Sequence, residues 1–254
     1  MHWTKNYVAA AIAGSLGTLV PISALNAEPV IIKYEGPSRD SYKPGKRLVP
    51  NAKISLKTGE VLTVLDERGT RVLRGPGTFD SSSSANIKSV SNTSLTALIK
   101  TSSVRRARTG AVRGDGSAPR IANPNLWFVD VSKSGRVCVA DFDNLQLWSN
   151  HTGSLREITT TDTATGKSTS TQLGKGRMIA NWPSSVPPAN GGNYKFGISG
   201  QAEKTAIQLV KVAMTGEERL DNMASTLLEN GCQIQSELLA ATFAQASPTP
   251  TGGQ

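Results

Sequence analysis

Apolar runs on either side of a strong turn signal, followed by a Gly-Pro-Gly break, predict a β-hairpin along residues 53–79. Its arms are residues 61–65 and residues 70–73, both rich in β-branched and aliphatic side chains. The first arm is apolar on both faces, which places it inside a β-sandwich. The second arm carries Arg71 and ends beside Arg74, so we expect it to have one solvent-exposed face.

The turn between these arms has the chemistry of a type I turn. Asp66 occupies the first position and Gly69 the fourth, where positive φ would form the bulge that ends a three-residue hairpin loop. The following Gly75, Pro76 and Gly77 remove a backbone donor and relax φ, so they predict the end of the second strand.

Short apolar runs separated by turns continue through the second half of the chain. The predicted strands are residues 126–131, 136–140, 145–148, 156–161, 168–173, 193–198 and 205–212. We expect the first two to pair as a hairpin. The fold class is therefore mainly β, with an N-terminal β-sandwich over residues 28–115 and a second β-sandwich or barrel over residues 123–214. Five aromatic residues are predicted to be core: Trp127, Trp148, Trp182, Tyr194 and Phe196.

The pattern changes to a helical period over residues 215–244, which predict an αα-hairpin. Thr215 and Glu218 form a capping box at the predicted start, and Gly231 caps the first helix. The second helix is expected over residues 232–243. Residues 245–254 read as a disordered tail.

The N-terminus carries a short apolar core after a single cation and ends in small residues, which is typical of a secretory signal peptide over residues 1–27. We expect cleavage after Ala27 and a periplasmic protein; an uncleaved anchor is the alternative. No other segment is apolar enough to span a membrane. The net charge of +9 favours contact with anionic envelope polymers or lipids, or a simply solvated basic surface, and no motif points to nucleic acid.

Cys138 and Cys232 are the only two cysteines, and an even count in an exported chain predicts a disulfide. Cys138 lies between Val137 and Val139, so its side chain points to the opposite face of the strand from theirs. The bond would attach the αα-hairpin to the second β domain. Two buried free thiols are the alternative.

A basic run lies between the two β regions. Its arginines are Arg105, Arg106, Arg108 and Arg113. They could contact phosphate groups or an anionic polymer. The alternative is that residues 111–112 form a closing strand whose flanking arginines are solvated.

The segment GEVLTVLDERGTRVLRGPGTF, followed by TGAVRG, resembles a FecR-type domain, the periplasmic regulator domain of iron-dicitrate sensing. The resemblance covers residues 43–115. It implies a periplasmic β domain that works through protein partners without catalysis. A cleavable leader takes the place of the membrane helix that is usual in such regulators. The resemblance therefore does not imply direct control of a sigma factor.

Three hypotheses of function remain. The first is a FecR-like, non-enzymatic binding or signalling module that contacts another envelope protein. The second is a structural envelope protein that contacts anionic polymers through the basic run. The third is a hydrolase using His151, although no G-x-S-x-G motif supplies a nucleophile. The sequence indicates no cofactor, and two cysteines with one histidine in the mature chain do not make a zinc site.

Overall fold

The computed structural model describes residues 28–38, 40–82, 99, 123–150, 154–214 and 218–244. These residues form a mainly β protein that ends in two helices, as the sequence predicts. The strands of the first half are β1 (Val30–Glu35), β2 (Lys53–Leu56), β3 (Val61–Asp66), β4 (Gly69–Arg74) and β5 (Gly77–Asp80). Those of the second half are β6 (Val129–Asp130), β7 (Gly135–Val139), β8 (Gln146–Trp148), β9 (Arg156–Asp162), β10 (Ser168–Leu173), β11 (Ile179–Asn181), β12 (Asn193–Ile198) and β13 (Thr205–Lys211). The helices are α1 (Leu220–Glu229) and α2 (Gln233–Thr242).

The first half contains a three-stranded antiparallel sheet in the order β1-β3-β4 and a two-stranded sheet of β2 and β5. The apolar side chains of both sheets meet in one core, which includes Ile31, Ile54, Leu62 and Leu73. The central position of β3 explains why its sequence is apolar on both faces. Leu62 and Val64 enter this core, whereas Leu65 packs beneath the helices.

The β3–β4 hairpin has a shorter loop than the sequence predicts. Asp66 pairs with Gly69, so two residues connect the strands rather than three. The Asp66 carboxylate accepts a hydrogen bond from the Arg68 N–H at 2.8 Å, which closes the turn locally. Gly69 has φ of +123°, a backbone conformation that L side chains rarely adopt.

The prediction that Arg71 faces solvent is wrong. Its side chain is buried, donates to the backbone carbonyls of Asp80 and Ser81, and lies 3.6 Å from the Asp66 carboxylate. Burial lowers the pKa of Arg71 from its ordinary value, and Asp66 opposes that effect. The cause is β5, a strand that the sequence pattern missed. It begins at Gly77, the last residue of the predicted break, and ends at Asp80, which together with the adjacent Ser81 supplies the two carbonyls.

In the second half, a five-stranded sheet has the order β10-β9-β12-β13-β7, and a three-stranded sheet has the order β11-β8-β6. The predicted hairpin between β6 and β7 is wrong. Strand β7 instead pairs in parallel with β13, and β6 pairs in parallel with β8. Each of these two strands thus pairs with a strand that does not follow it directly in the sequence. Local turn signals cannot reveal such a pairing. Trp182, Tyr194 and Phe196 are in the shared core.

The helices pack between the two β regions and contact both. Helix α1 lies against β1 and β3, and α2 lies against β1, β3, β4 and β7. The capping-box prediction is wrong, because α1 begins at Leu220 after Arg219, whose side chain makes no capping hydrogen bond. Arg47 reaches from the first half to the buried Asp221 of α1 at 3.2 Å. Gly231, with φ of +75°, follows the end of α1.

Several predictions lie outside the described residues. These are the signal peptide, the tail and the side chains of Arg105, Arg106, Arg108, Arg113 and His151. Within the described part of the chain, neither helix is long and apolar enough to cross a membrane.

Candidate functional site

The predicted disulfide is present. Cys138 in β7 bonds to Cys232, the residue that precedes α2, with their Cα atoms 5.8 Å apart. Strand alternation sends Val137 and Val139 into the core of the second half, while Cys138 joins the core beneath the helices. The disulfide therefore fixes the start of α2 to the edge strand of the five-stranded sheet.

A cleft of about 470 Å³ opens beside this attachment, between α2 and the strands β6, β7 and β8. We call it the helix–strand cleft. Its volume lies in the range of small-molecule ligand pockets. It is lined by Asn123, Phe128, Asp130, Ser132, Lys133, Arg136, Val137, Trp148, Asn150, Ile234, Gln235, Glu237, Leu238 and Ala241.

Trp148 lines this cleft and is only 3 % exposed. Its neighbour Leu147 points into the core of the second half, so alternation along β8 turns Trp148 to the other face. The prediction that Trp148 belongs to the core is confirmed by its burial, although its side chain is not part of the core between the sheets of the second half. The indole Nε1 has no hydrogen-bond partner, whereas that of Trp182 donates to the Val186 carbonyl at 2.6 Å.

The charged groups of the cleft differ in how they are engaged. Asp130 accepts hydrogen bonds from the backbone N–H and hydroxyl of Ser132, and Glu237 accepts one from Gln233 at 2.9 Å. Lys133 and Arg136 are exposed, and neither forms an ion pair with a described residue. The Arg136 Nε donates to Gln208 at 3.1 Å. The two acids thus form hydrogen bonds within the walls of the cleft, and the two cations remain available to a ligand.

A second cavity of about 340 Å³ lies on the other side of Phe128. Trp127 Nε1 and Gln146 Oε1 line it and lack hydrogen-bond partners. At its edge the Asn144 amide and the Asp143 backbone N–H hold the pKa of Asp141 below its ordinary value. This arrangement is a local turn, and Asp141 is the only acid among the described residues that line the cavity.

The residues that the sequence singled out lie in three places. Asp66, Gly69, Gly75, Pro76 and Gly77 shape the first half and do not line the cleft. Cys138 and Cys232 lie beside the cleft and hold its wall. The arginines of the basic run and His151 lie outside the described residues. Among the described residues, no group of three or more His, Cys, Asp or Glu could hold a metal ion.

Sequence reasoning did not select Lys133, Arg136 or Trp148 as site residues. One signal was available, because alternation in Leu147-Trp148 turns one of the two away from the core. The rest of the cleft lining comes from other segments of the chain. Comparison with protein-family models, curated proteins and solved structures finds no match to this chain. The FecR-type resemblance stays a prediction.

Proposed function

We propose that this chain is an exported, non-enzymatic binding module that works in the periplasm by engaging another envelope protein. The helix–strand cleft is its binding site. The observation that carries the proposal is the pairing, in one cleft, of a buried unpartnered Trp148 N–H with two cations, Lys133 and Arg136, that lack ion-pair partners among the described residues. A buried N–H without a partner needs an explanation, and a ligand that supplies the acceptor beside two exposed cations is the one proposed.

The disulfide supports export, because such bonds persist in oxidising compartments. It also supports a binding role for the cleft. Cys232 directly precedes the helix that forms one wall, and Cys138 lies in a strand that contributes to the other. A covalent link between two walls keeps a site in its binding geometry before the partner arrives, which lowers the entropic cost of association.

The hydrogen bonds within the cleft favour binding over catalysis. Where a carboxylate serves as the general base, it must be free to take a proton from the substrate. Asp130 is bonded twice to Ser132, and Glu237 is bonded to Gln233. These acids are committed to the shape of the cleft.

Site-specific cross-linking in the cells that produce the protein tests this function. A photoreactive p-benzoylphenylalanine is placed at Ala241, an exposed alanine that lines the cleft, or at Ala164, an exposed alanine in the β9–β10 turn. We expect one envelope protein, identified by mass spectrometry, to cross-link from Ala241 and not from Ala164. Arg136→Glu should remove that cross-link.

Equal cross-linking from both positions, or none from Ala241, would contradict the proposed binding site. The location is tested separately by N-terminal sequencing of the mature protein, which should begin at Glu28. An intact Met1 in the membrane fraction would contradict export with cleavage.

A further inference from the structure

The buried Trp148 N–H requires an acceptor that the described chain does not supply. A buried donor without a partner is costly, and almost all such groups in folded proteins find one. Trp182 shows the usual outcome in the same fold, because its Nε1 donates to a backbone carbonyl. Trp148 lines the cleft and its Nε1 is covered by the protein, so a molecule bound there would provide the missing acceptor once a neighbouring side chain moves aside.

Lys133 and Arg136 indicate that this acceptor is an anion. Both cations line the same cleft as Trp148, and the planar guanidinium of arginine matches the two oxygens of a carboxylate. Asp130 and Glu237 also line the cleft. Their negative charge disfavours a doubly charged phosphate more than a singly charged carboxylate.

The remaining lining describes what is attached to the carboxylate. Phe128, Ile234 and Leu238 give the cleft apolar walls, so an apolar group beside the charge would be buried. Asn123 already donates to the Phe128 carbonyl and accepts from the Asn125 N–H, so it shapes the wall of the cleft. The Asn150 amide adds a donor and an acceptor that suit a peptide backbone, which a fatty acid lacks.

We infer that the helix–strand cleft binds the free C-terminal carboxylate of a peptide whose last side chain is apolar. The Trp148 N–H and the two cations contact the carboxylate, and the wall of α2 contacts the last side chain. Capture of a chain terminus is an established mode of peptide recognition. This inference names the chemistry of the envelope partner and rests on the proposed function.

The test compares two acetylated tetrapeptides, Ac-Gly-Gly-Ala-Leu with a free carboxylate and the same peptide with a C-terminal amide. Binding is followed with the full mature chain by the indole N–H resonance of Trp148, assigned by its loss in Trp148→Phe. We expect the free acid to shift this resonance and the amide to bind about tenfold or more weakly, since a charge-assisted contact is lost.

Variants locate the carboxylate. Arg136→Gln and Lys133→Gln should each weaken the free acid and leave the amide unchanged. Lys167→Gln, in the exposed β9–β10 turn, is the matched control and should change neither. These surface variants keep the test valid if Trp148→Phe does not fold.

Three results would overturn the inference. They are equal affinity for acid and amide, binding of octanoate without binding of the peptide, and an unmoved Trp148 resonance with every probe. If the cross-link from Ala241 persists in cells under any of these results, the proposed function stands and only its ligand chemistry is wrong. If both tests fail, the cleft is not the binding site.

Discussion

The side chain of Gln235 hydrogen-bonds to both backbone groups of Cys138. The Cys138 N–H donates to Gln235 Oε1 at 2.6 Å, and Gln235 Nε2 donates to the Cys138 carbonyl at 2.8 Å. The same Nε2 donates to the Leu126 carbonyl at 2.8 Å. Strand β7 is at the edge of its sheet, so one glutamine amide takes the place of a further strand. Cys138 is thereby fixed twice from α2, by its disulfide and by this amide.

Gln235→Ala should destabilise the protein by about 2–4 kcal/mol, because it leaves buried N–H and carbonyl groups without partners. Gln235→Glu should also destabilise it, since a carboxylate cannot donate to the two carbonyls. Urea unfolding measures the free energy. Gln172→Ala, at an exposed position of β10, is the control and should change stability by less than about 0.5 kcal/mol. A loss as small for Gln235→Ala would show that water satisfies Cys138.

Removing the disulfide with Cys138→Ala and Cys232→Ala should cost about 4–5 kcal/mol, since the bond closes a loop with a sequence separation of 94 residues. The disulfide stabilises the protein mainly by lowering the conformational entropy of the unfolded chain. The spectrum of the folded protein should therefore change little. Denaturant unfolding under oxidising and reducing conditions gives the comparison. Wild-type protein should lose the same stability when reduced, and the double variant should not respond to reductant. Two alkylatable thiols in the purified oxidised protein would contradict the bond itself.

The parts of this fold that the sequence predicts correctly depend on local pattern. Alternation around Cys138 correctly places its side chain opposite those of Val137 and Val139, and the even cysteine count correctly predicts the disulfide. The positive φ of Gly69 follows from turn chemistry. For the strand face and the turn, the deciding residues are adjacent in sequence.

The parts that the sequence does not predict depend on contacts between distant segments. Arg71 lies at a position that the alternation of its strand assigns to the solvent-exposed face. It is nevertheless buried, and it donates a hydrogen bond to the Asp80 carbonyl of β5. Gln235 is a polar residue of α2, and it is buried because its amide bonds to the open edge of β7. The cleft combines residues of β6, β7, β8 and α2, so no single segment carries its signature.

Glu60 makes stability depend on pH in the acid range. Its carboxylate accepts the Lys57 N–H at 2.7 Å and the Ser38 hydroxyl at 2.8 Å. The Lys57 N–H, and then the Tyr34 hydroxyl, hold the pKa of Glu60 below its ordinary value of 4.5. This stabilisation is therefore fully present above pH 4.5 and is lost as pH falls through the lower native pKa.

Glu60→Gln should flatten the fall in thermal midpoint between neutral and acid pH. Glu157→Gln, at an exposed position of β9, is the matched control and should keep the wild-type profile. Melting curves over this pH range measure the effect. Parallel profiles for wild type and Glu60→Gln would show that other carboxylates determine the acid response.

Gly75→Ala should be strongly destabilising, whereas Gly77→Ala, two residues away, should be tolerated. A Cβ on Gly75 would lie 2.0 Å from the Lys57 carbonyl oxygen, and the Gly75 N–H donates to the Glu60 carbonyl at 2.9 Å, so the two backbone segments cannot separate without losing a hydrogen bond. A Cβ on Gly77 would meet only the Phe79 ring, at 3.4 Å. We expect a loss of more than about 2 kcal/mol for Gly75→Ala and less than about 1 kcal/mol for Gly77→Ala in urea unfolding, because only the first forces backbone apart. Equal losses would mean that glycine is needed at both positions for chain flexibility and not for this close approach.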